Sequence, residues 1–368
     1  MKKQNAPTLS REAQQQTPIR IPMPVRYIIN TVLIVATWFI INSLINAGVI
    51  TNYWSGILIT VGINIILAVS LNVATGYLGQ LPLGHAGFMA VGAYTGGIFI
   101  RQTPVADLLK AGDTAAALPY IIIALVFSAI VAGLFGLIIG IPALRLRGDY
   151  LAIITLGFGE IIRVVLTNID SVLGFKFTYG AAGLKRIPKF SSFTLVFVCV
   201  VITCMVIHMV MKSRHGRAIL SIRENEIASS STGIPTTYYK TFAFVLSAVF
   251  AGVAGCLYAG YLGSLYPSTF KFMKSIEILV MVVLGGMGSM MGSVLSASVL
   301  TILPELLRSV DDYRMVAYSL ALVVMMIFRP KGLLGSYDFS MSRVLEKVLN
   351  FLFRPQLRKK KQKGGAEE

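Results

Sequence analysis

The strongest constraint in this chain is a long stretch without formal charge. No Asp, Glu, Lys or Arg occurs between Arg26 and Arg101. A helix needs roughly 20 apolar residues to cross a bilayer, so this stretch is long enough for about three crossings. Its apolar segments are long and continuous, unlike the short alternating strands of a membrane β-barrel. The sequence therefore predicts an all-α fold, a polytopic transmembrane bundle of about 8–10 membrane segments with Gly-rich broken helices.

Composition supports a membrane protein and argues against a nucleic-acid partner. The chain is 55% hydrophobic and 13% charged, whereas an ordinary soluble domain is roughly 25% charged. Its net charge of +17 is typical of a protein whose cytoplasmic flanks are rich in Lys and Arg. The sequence has no soluble basic domain with interleaved aromatic residues. The expected surroundings are therefore a lipid bilayer, and we expect no nucleic acid.

Hydropathy and charge divide the chain into three parts. We expect a basic cytoplasmic N-terminal tail over 1–27, a transmembrane domain over 28–328 and a basic cytoplasmic tail over 329–368. The expected apolar segments cover 28–47, 55–75, 86–100, 118–142, 149–168, 193–211, 241–262, 276–307 and 314–328, with a neutral loop at 101–117 and an ordered external loop at 169–191.

The number of crossings depends on residues 276–307. Nine crossings from a cytoplasmic N-terminus would leave the basic C-terminal tail outside, against the charge rule. If 276–286 and 290–307 are separate crossings or oblique half-helices, the count becomes ten and both termini are cytoplasmic. The first of these pieces is short for a full crossing, so both possibilities remain open at this point.

Two Gly-rich breaks interrupt the apolar segments, one in each half of the chain. Broken helices at corresponding places in two halves are typical of a transport site, although close helix packing through glycine is the alternative. We take these residues as translocation-path candidates: Gly79, Gln80, Pro82, Gly84 and His85 in the first break, and Gly285, Gly286 and Gly288 in the second.

One ionisable pair lies inside an expected span. Glu160 and Arg163 are three residues apart, on one face of a helix, and can form an ion pair. Charged groups at membrane depth are costly and usually face the protein interior or a water-filled path. A path-lining pair and a structural pair at a helix contact are the two interpretations, and both residues join the path candidates.

The longest polar interruption, residues 212–240, predicts a short folded element at the membrane surface. It holds five Lys or Arg and two Glu, and it ends at Gly233 and Pro235, which are helix stop signals. Its apolar positions do not form one clean stripe, so it is poorly suited to lying on lipid as a single amphipathic helix. Two short helices that dock on a partner protein are the favoured interpretation.

Motifs for chemistry within this chain are missing. The sequence contains no Walker phosphate loop, zinc motif, nucleophile elbow or carboxylate cluster. Its three cysteines lie inside apolar segments, and its three histidines are scattered, so we expect neither a metal site nor a cofactor. An ion-coupled carrier normally has several acids within the membrane. The energy source is therefore expected on another polypeptide.

Several stretches together closely resemble the M-type permease subunit of branched-chain amino acid ABC importers. They are GQLPLGHAGFMAVGAYTGG (79–97), RGDYLAIITLGFGEIIR (147–163), GRAILSIRENEIASSSTGI (216–234), YKTFAFVLSAVFAGVAGCLYAGYLGSLYPSTF (239–270), SIEILVMVVLGGMGSMMGSVL (275–295) and FRPKGLLG (328–335). The resemblance covers most of 60–335 in the same order. It implies a multi-pass plasma-membrane protein of a bacterium or archaeon.

The same resemblance implies partners and a coupling site. The partners are a paralogous permease subunit in a heterodimer, two cytoplasmic ATPase subunits that bind ATP and Mg²⁺, and an external solute-binding protein. Residues 216–234 match the family's ATPase-docking loop, and five positions fall on its motif: Arg217, Arg223, Glu224, Glu226 and Gly233. The resemblance therefore implies a transport subunit that is not itself an enzyme.

Other functions predict different behaviour. Relatives of such permeases carry urea, short amides or other amino acids, so the substrate is open within the family. A self-sufficient secondary transporter or channel predicts transport in liposomes without partners. A membrane enzyme predicts that Glu160 and Arg163 are essential while the 212–240 loop tolerates change.

Overall fold

The structure is a computed structural model that describes residues 23–146, 148–174 and 178–308, together with 316, 319, 320, 323, 327, 332 and 333. The chain divides into two units, 1–41 with 339–368, and 42–338. In the first unit the described part is the beginning of helix α1. The elements discussed below belong to the second unit. The expected span 314–328 and both tails lie almost entirely outside the described residues.

Helices dominate the described chain, as the apolar sequence predicts. They are α1 (Met23–Asn46), α2 (Asn52–Asn72), α3 (His85–Gln102), α4 (Val105–Lys110), α5 (Thr114–Ala143), α6 (Asp149–Leu173), α7 (Phe193–Lys212), α8 (Arg214–Glu224), α9 (Glu226–Ser231), α10 (Thr236–Leu262), α11 (Phe272–Gly285) and α12 (Met290–Leu306). The π-helical turn Val73–Tyr77 continues α2, 3-10 turns cover Gly180–Ala182 and Pro267–Phe270, and β1 (Leu184–Lys185) pairs with β2 (Ser264–Leu265). The all-α prediction is confirmed.

Five of the described helices are long and apolar enough to cross a membrane. They are α2 with its π-helical turn, α5, α6, α7 and α10. Their burial differs sharply, since the α2 span is 89% buried within this chain whereas the α6 and α7 spans are only 17% buried. Helices α6 and α7 therefore present most of their apolar surface to lipid or to another protein.

The helix α10 makes the most extensive contacts, and it packs against α3, α5 and α2. Glycine lets the backbones approach closely at these crossings. A Cβ on Gly255 would lie 2.8 Å from the amide nitrogen of Ala93 on α3. A Cβ on Gly136 of α5 would lie 2.6 Å from the Cβ of Ala248. Glycines of α5 and α10 therefore lie at helix contacts.

The loop expected at 101–117 is partly helical, so that prediction was wrong in detail. Residues 105–110 form α4, and α5 begins at Thr114, four residues earlier than the apolar run suggests. Val105 is fully buried under α3 and α5, and Asp107 and Lys110 lie in the first and last turns of α4, where their charges suit the helix dipole. Burial of one apolar residue outweighs the polar character of its neighbours.

The described part of the 169–191 loop is ordered, as its Gly and Pro content predicts. Arg101 at the end of α3 donates a hydrogen bond to the Tyr179 hydroxyl at 2.9 Å, and its guanidinium carbon lies 4.6 Å from the centre of that ring. Leu184 pairs with Leu265 in a short antiparallel ladder beyond the end of α10. Residues 175–177 lie outside the described residues.

Residues 276–307 form two antiparallel helices rather than one. Ser296 of α12 donates a hydrogen bond to the carbonyl of Met281 on α11, and Gly285 and Gly292 bring the two backbones into contact beside the connecting turn. The helix α12 also runs antiparallel to α2. The side chain of Asn72 bonds the carbonyl of Ser289 at one end, and the Tyr53 hydroxyl bonds Glu305 at the other. The helix α12 therefore spans the same depth as α2.

Candidate functional site

The first break begins where α2 changes from α-helical to π-helical geometry. The amide of Leu78 donates to the carbonyl of Val73, and that of Gln80 donates to the carbonyl of Ala74. The chain then turns at Gly79, whose φ is +77°, a value that glycine adopts without steric cost. A π-helical turn inside a long helix is rare and occurs frequently at functional sites.

The middle of this break packs into the protein. Pro82 and Gly84 are buried, Gln80 is half-buried and Gly79 is exposed. The amide of Leu83 donates to the Thr155 hydroxyl of α6 at 3.0 Å. Since a Cβ on Gly84 would collide with the backbone of Thr155, glycine is required for this close approach.

His85 opens α3 and lies against α2. It is 2% exposed, and its Nε2 shares a hydrogen bond of 3.0 Å with the Ser70 hydroxyl. The next residue, Ala86, donates its amide hydrogen to the Ser275 hydroxyl of α11 at 3.0 Å. The first break is therefore fixed on both sides, by α6 and by α11.

Glu160 and Arg163 do pair on α6. Arg163 Nε lies 2.6 Å from Glu160 Oε2. The arginine side chain is 27% exposed and the glutamate side chain 35% exposed, although both lie in the middle of an apolar helix. Such a pair requires water or another protein beside it, since charged groups exposed to hydrocarbon are costly.

A small cavity lies between the first break, α6 and the start of α11. Its volume is about 10 Å³, close to the minimum that holds one water molecule. The lining residues are Leu83, Ala86, Gly87, Leu156, Gly159, Glu160, Phe270, Phe272 and Ser275. Glu160 therefore borders both the outer surface of α6 and a small cleft at the break.

The second break is the turn between α11 and α12. Gly286 and Gly288 have φ of +103° and +87°, which strongly favours glycine. The Ser289 hydroxyl accepts a hydrogen bond of 3.1 Å from the amide of Gly292 and so caps α12. The path candidate Gly285 packs at this end of α11 against Gly292.

The two breaks meet at Asn72, which sequence reasoning missed. Its side-chain nitrogen donates to the carbonyl of Ser289 at 3.0 Å, and its side-chain oxygen accepts from the amide of Gly288 at 2.9 Å. Asn72 is fully buried. The sequence did contain a signal, because Asn72 is a polar amide within an apolar run. Buried polar groups need hydrogen-bond partners, so such a residue predicts a contact with another segment.

Residues 212–240 fold as two short helices, α8 and α9. Ser213 caps α8 by accepting from the amide of His215 at 3.2 Å, and Asn225 caps α9 by accepting from the amide of Ala228 at 3.0 Å. Both residues are strong N-cap formers. Ser213 and Asn225 therefore explain why one polar interruption becomes two helices with a bend between them.

Helix α8 packs through buried apolar side chains, whereas α9 is held to the membrane domain by an ion pair. Ile219 and Ile222 of α8 are buried. Glu226 of α9 pairs with Lys240 of α10 at 2.6 Å, and the lysine side chain is only 4% exposed. Lys240 is one of the five Lys or Arg of the polar interruption, and the ion pair allows its burial.

The five coupling candidates lie around this element but do not share one environment. Arg217 and Glu224 are exposed, Glu226 is half-buried, and Gly233 lies in open space with a φ of +84°. Arg223 is also exposed, but its Nη1 reaches back and donates to the carbonyl of Gly76 in the first break at 2.6 Å.

The described residues do not form a candidate metal site. Within the residues that the structure describes, no three His, Cys, Asp or Glu side chains are grouped so that they could hold a metal ion.

Comparison with known proteins decides the family. Residues 53–329 match the family described as "Branched-chain amino acid transport system / permease component". The chain belongs to this family. The permease is thus a multi-pass membrane protein, and its long apolar helices agree with that assignment.

Three curated relatives agree with the family. The high-affinity branched-chain amino acid transport system permease protein LivM of Salmonella typhimurium is 35% identical over 74% of this chain and 68% of its own length. LivM of Escherichia coli K12 is 36% identical over the same shares. BraD of Pseudomonas aeruginosa, also named as such a permease protein, is 26% identical over 45% of this chain and 55% of its own length. The sequence resemblance to this family is confirmed.

Proposed function

We propose that this permease is the membrane-spanning, non-catalytic subunit of an ABC importer that moves branched-chain amino acids inward. The observation that carries the proposal is the family match over residues 53–329, and the names of the LivM relatives support the substrate. Urea, short amides or another amino acid are the alternatives within the family. The α8–α9 element, folded against a membrane domain, supports a transporter driven from outside its own chain.

The partners follow from this function. The permease pairs with a paralogous permease subunit, receives substrate from an external solute-binding protein and is driven by two cytoplasmic ATPase subunits. ATP and Mg²⁺ bind to those ATPases, and this chain supplies no cofactor and no ATPase site. The largely exposed apolar faces of α6 and α7 support a second membrane subunit, because large exposed apolar surfaces mark protein or lipid contacts.

Ten crossings with both termini cytoplasmic is the proposed topology. Support comes from α12, which follows α2 over its full depth, and from α11, which runs antiparallel to α12. Counting both as crossings gives an even number once the expected span 314–328 is added. The basic tails 1–27 and 329–368 then both satisfy the charge rule.

The α8–α9 element is the proposed ATPase-docking site. Arg217, Glu224 and Ile227 are exposed there, and Gly233 ends the element in open space. Mixed charges around one exposed apolar side chain suit a protein surface better than lipid. The ion pair between Glu226 and Lys240 fixes α9 to α10 and so holds the docking site in place.

The Glu160–Arg163 pair and the two breaks are the proposed lining of the translocation path. The half-exposed pair at the middle of α6 supports a water-filled path between this permease and its paralogue. A zwitterionic amino acid carries one charge of each sign, which such a pair can match.

Purification in mild detergent tests this function. A tagged permease, expressed with its neighbouring genes, is expected to retain an ATPase and a second permease subunit of the same family. A stable homo-oligomer that carries neither subunit would contradict the proposal.

A further inference from the structure

We propose that Arg223 is a positioning residue that connects α8 to both helix breaks, so that movement of the docking element reaches the two breaks together. This inference rests on the proposed function, because it requires ATPase subunits that move α8. It differs from the docking role, since it assigns a function to the contact that Arg223, an exposed residue, makes within the permease.

The π-helical turn leaves the carbonyl of Gly76 without its regular helical hydrogen bond. In a regular α-helix the carbonyl of Gly76 would accept from the amide of Gln80. Here the amide of Gln80 donates to the carbonyl of Ala74 instead. The carbonyl of Gly76 therefore lacks this regular helical partner, and because Gly76 is buried, its carbonyl requires another one.

Arg223 supplies that partner from a different element. Its Nη1 lies 2.6 Å from the carbonyl oxygen of Gly76. The stem of the side chain crosses Gly79, where an added Cβ would lie 3.1 Å from Arg223 Cγ. Both contacts are made on the first break, and the one at Gly79 leaves little room for a larger residue.

The same guanidinium borders the second break. A Cβ on Gly288 would lie 2.8 Å from Arg223 Nη1 and 3.3 Å from the carbonyl oxygen of Gly76. Asn72 completes the link, because its side chain bonds the amide of Gly288 and the carbonyl of Ser289. We call Asn72, Gly76, Gly79, Gly288 and Arg223 the glycine junction.

A fourth segment closes over the junction. The amide of Leu333 donates to the carbonyl of Leu284 at the end of α11 at 2.7 Å. A Cβ on Gly332 would lie 2.5 Å from the Cα of Gly286. Residues 332 and 333, expected in the C-terminal tail, thus pack on the second break. The junction brings together the ends of α2, α8 and α11 and the start of α12.

The chemistry of arginine suits this position. Its planar guanidinium has five donors in a rigid fork, whereas lysine offers a flexible point charge. A charged donor to a carbonyl gives a stronger hydrogen bond than a neutral one. Arg223 lies in the last turn of α8, while Ile219 and Ile222 of the same helix are buried. Displacement of α8 would therefore pull directly on the carbonyl of Gly76.

Three variants in the assembled transporter test the proposal. Arg223→Ala is expected to retain both ATPase subunits on purification and to hydrolyse ATP, but to transport at least about tenfold less substrate per ATP, since a charged hydrogen bond is lost. Arg223→Lys keeps the charge and one donor and should recover part of the transport. Arg145→Ala removes an exposed arginine just after the end of α5, outside α8 and α9, and should transport normally.

A fourth variant tests the link between the two breaks. Asn72→Ala cuts the link between the breaks, so it should also lower transport per ATP. Because both side chains belong to one linkage, the Arg223→Ala and Asn72→Ala double variant should be little worse than either single variant. Additive losses of transport per ATP would count against a shared linkage.

Two results would overturn the inference and leave the proposed function intact. One is loss of the ATPase subunits from the Arg223→Ala complex, which would make Arg223 a docking or folding residue. The other is unchanged transport per ATP. Failure of the proposed function is a different result, namely a wild-type permease that never binds an ATPase.

Discussion

Individual glycines in this permease have two separate roles, which the sequence alone does not distinguish. Gly255 lies at a helix crossing, where an added Cβ would approach Ala93 to 2.8 Å. Gly157 lies in the middle of α6 with nothing within 4 Å of such a Cβ. Both residues are helical glycines in apolar sequence. Only the atoms that surround each one in the folded structure show that Gly255 is a packing residue and that Gly157 lies at an open surface.

Matched Gly→Ala variants should show this difference. Gly255→Ala is expected to destabilise the permease by a few kcal/mol, at least about 2, because the backbones of α3 and α10 must separate. Gly157→Ala should be neutral or stabilise α6 by up to about 1 kcal/mol, the difference in helix propensity. Thermal unfolding of the purified permease in detergent measures both. Equal effects at the two positions would contradict the assignment of the crossing.

The ion pair between Glu226 and Lys240 is asymmetric in burial. The lysine side chain is 4% exposed and the glutamate side chain 26% exposed. Removal of the glutamate therefore leaves a charge in the protein interior, whereas removal of the lysine leaves a carboxylate that water can reach.

Glu226→Gln should consequently be more damaging than Lys240→Met. We expect a loss of about 3 kcal/mol for the first variant, and a clearly smaller loss for the second. The double variant should recover much of the stability that Glu226→Gln loses, since no buried charge remains. Thermal unfolding and amide hydrogen exchange in α9 measure these effects. A larger loss for Lys240→Met would contradict the burial argument.

Among the elements, α8 and α9 form the proposed docking site for the ATPase subunits. Their two N-caps, Ser213 and Asn225, can be identified from the sequence, and so can the stop at Gly233. Their seating cannot, because the hydrogen bond from Arg223 to Gly76 joins residues 147 positions apart. Two residues of the docking motif, Arg223 and Glu226, therefore contact the membrane domain.

Disruption of this element should block coupling while the permease still inserts. Proline cannot adopt the φ of +84° found at Gly233, and it would remove the amide hydrogen that Gly233 donates to the carbonyl of Ser230. Gly233→Pro and the charge reversal Glu224→Lys should each abolish transport and substrate-stimulated ATP hydrolysis. Both activities are measured in proteoliposomes that contain the whole transporter.

Gly112→Pro is the matched control for that experiment. Gly112 has a φ of +82°, also lies in open space, and donates its amide hydrogen to the carbonyl of Leu109. It follows α4, away from α8 and α9. The control should therefore keep ATPase binding. Normal substrate-stimulated hydrolysis in Gly233→Pro would show that the element does not couple the ATPases.

For the whole molecule, local sequence signals predicted most of the helices and both breaks. They did not predict the glycine junction, where α2, α8, α11 and α12 come together. Hydropathy located the apolar helices, and glycine and proline located both breaks. Helix α4 was missed because burial of Val105 is a tertiary effect. The glycine junction was missed for the same reason, since Asn72 and Gly288 are far apart in the chain. The breaks pack closely through glycine in the structure, and this packing is compatible with the proposal that they line the translocation path.

Transport by reconstituted liposomes tests the central claim most directly. Liposomes that contain only this permease should take up no labelled branched-chain amino acid. Liposomes with the paralogous permease and both ATPases, supplied with ATP and with the solute-binding protein on the opposite side, should accumulate it. Uptake by the permease alone would contradict the account, because it would make the chain a self-sufficient carrier.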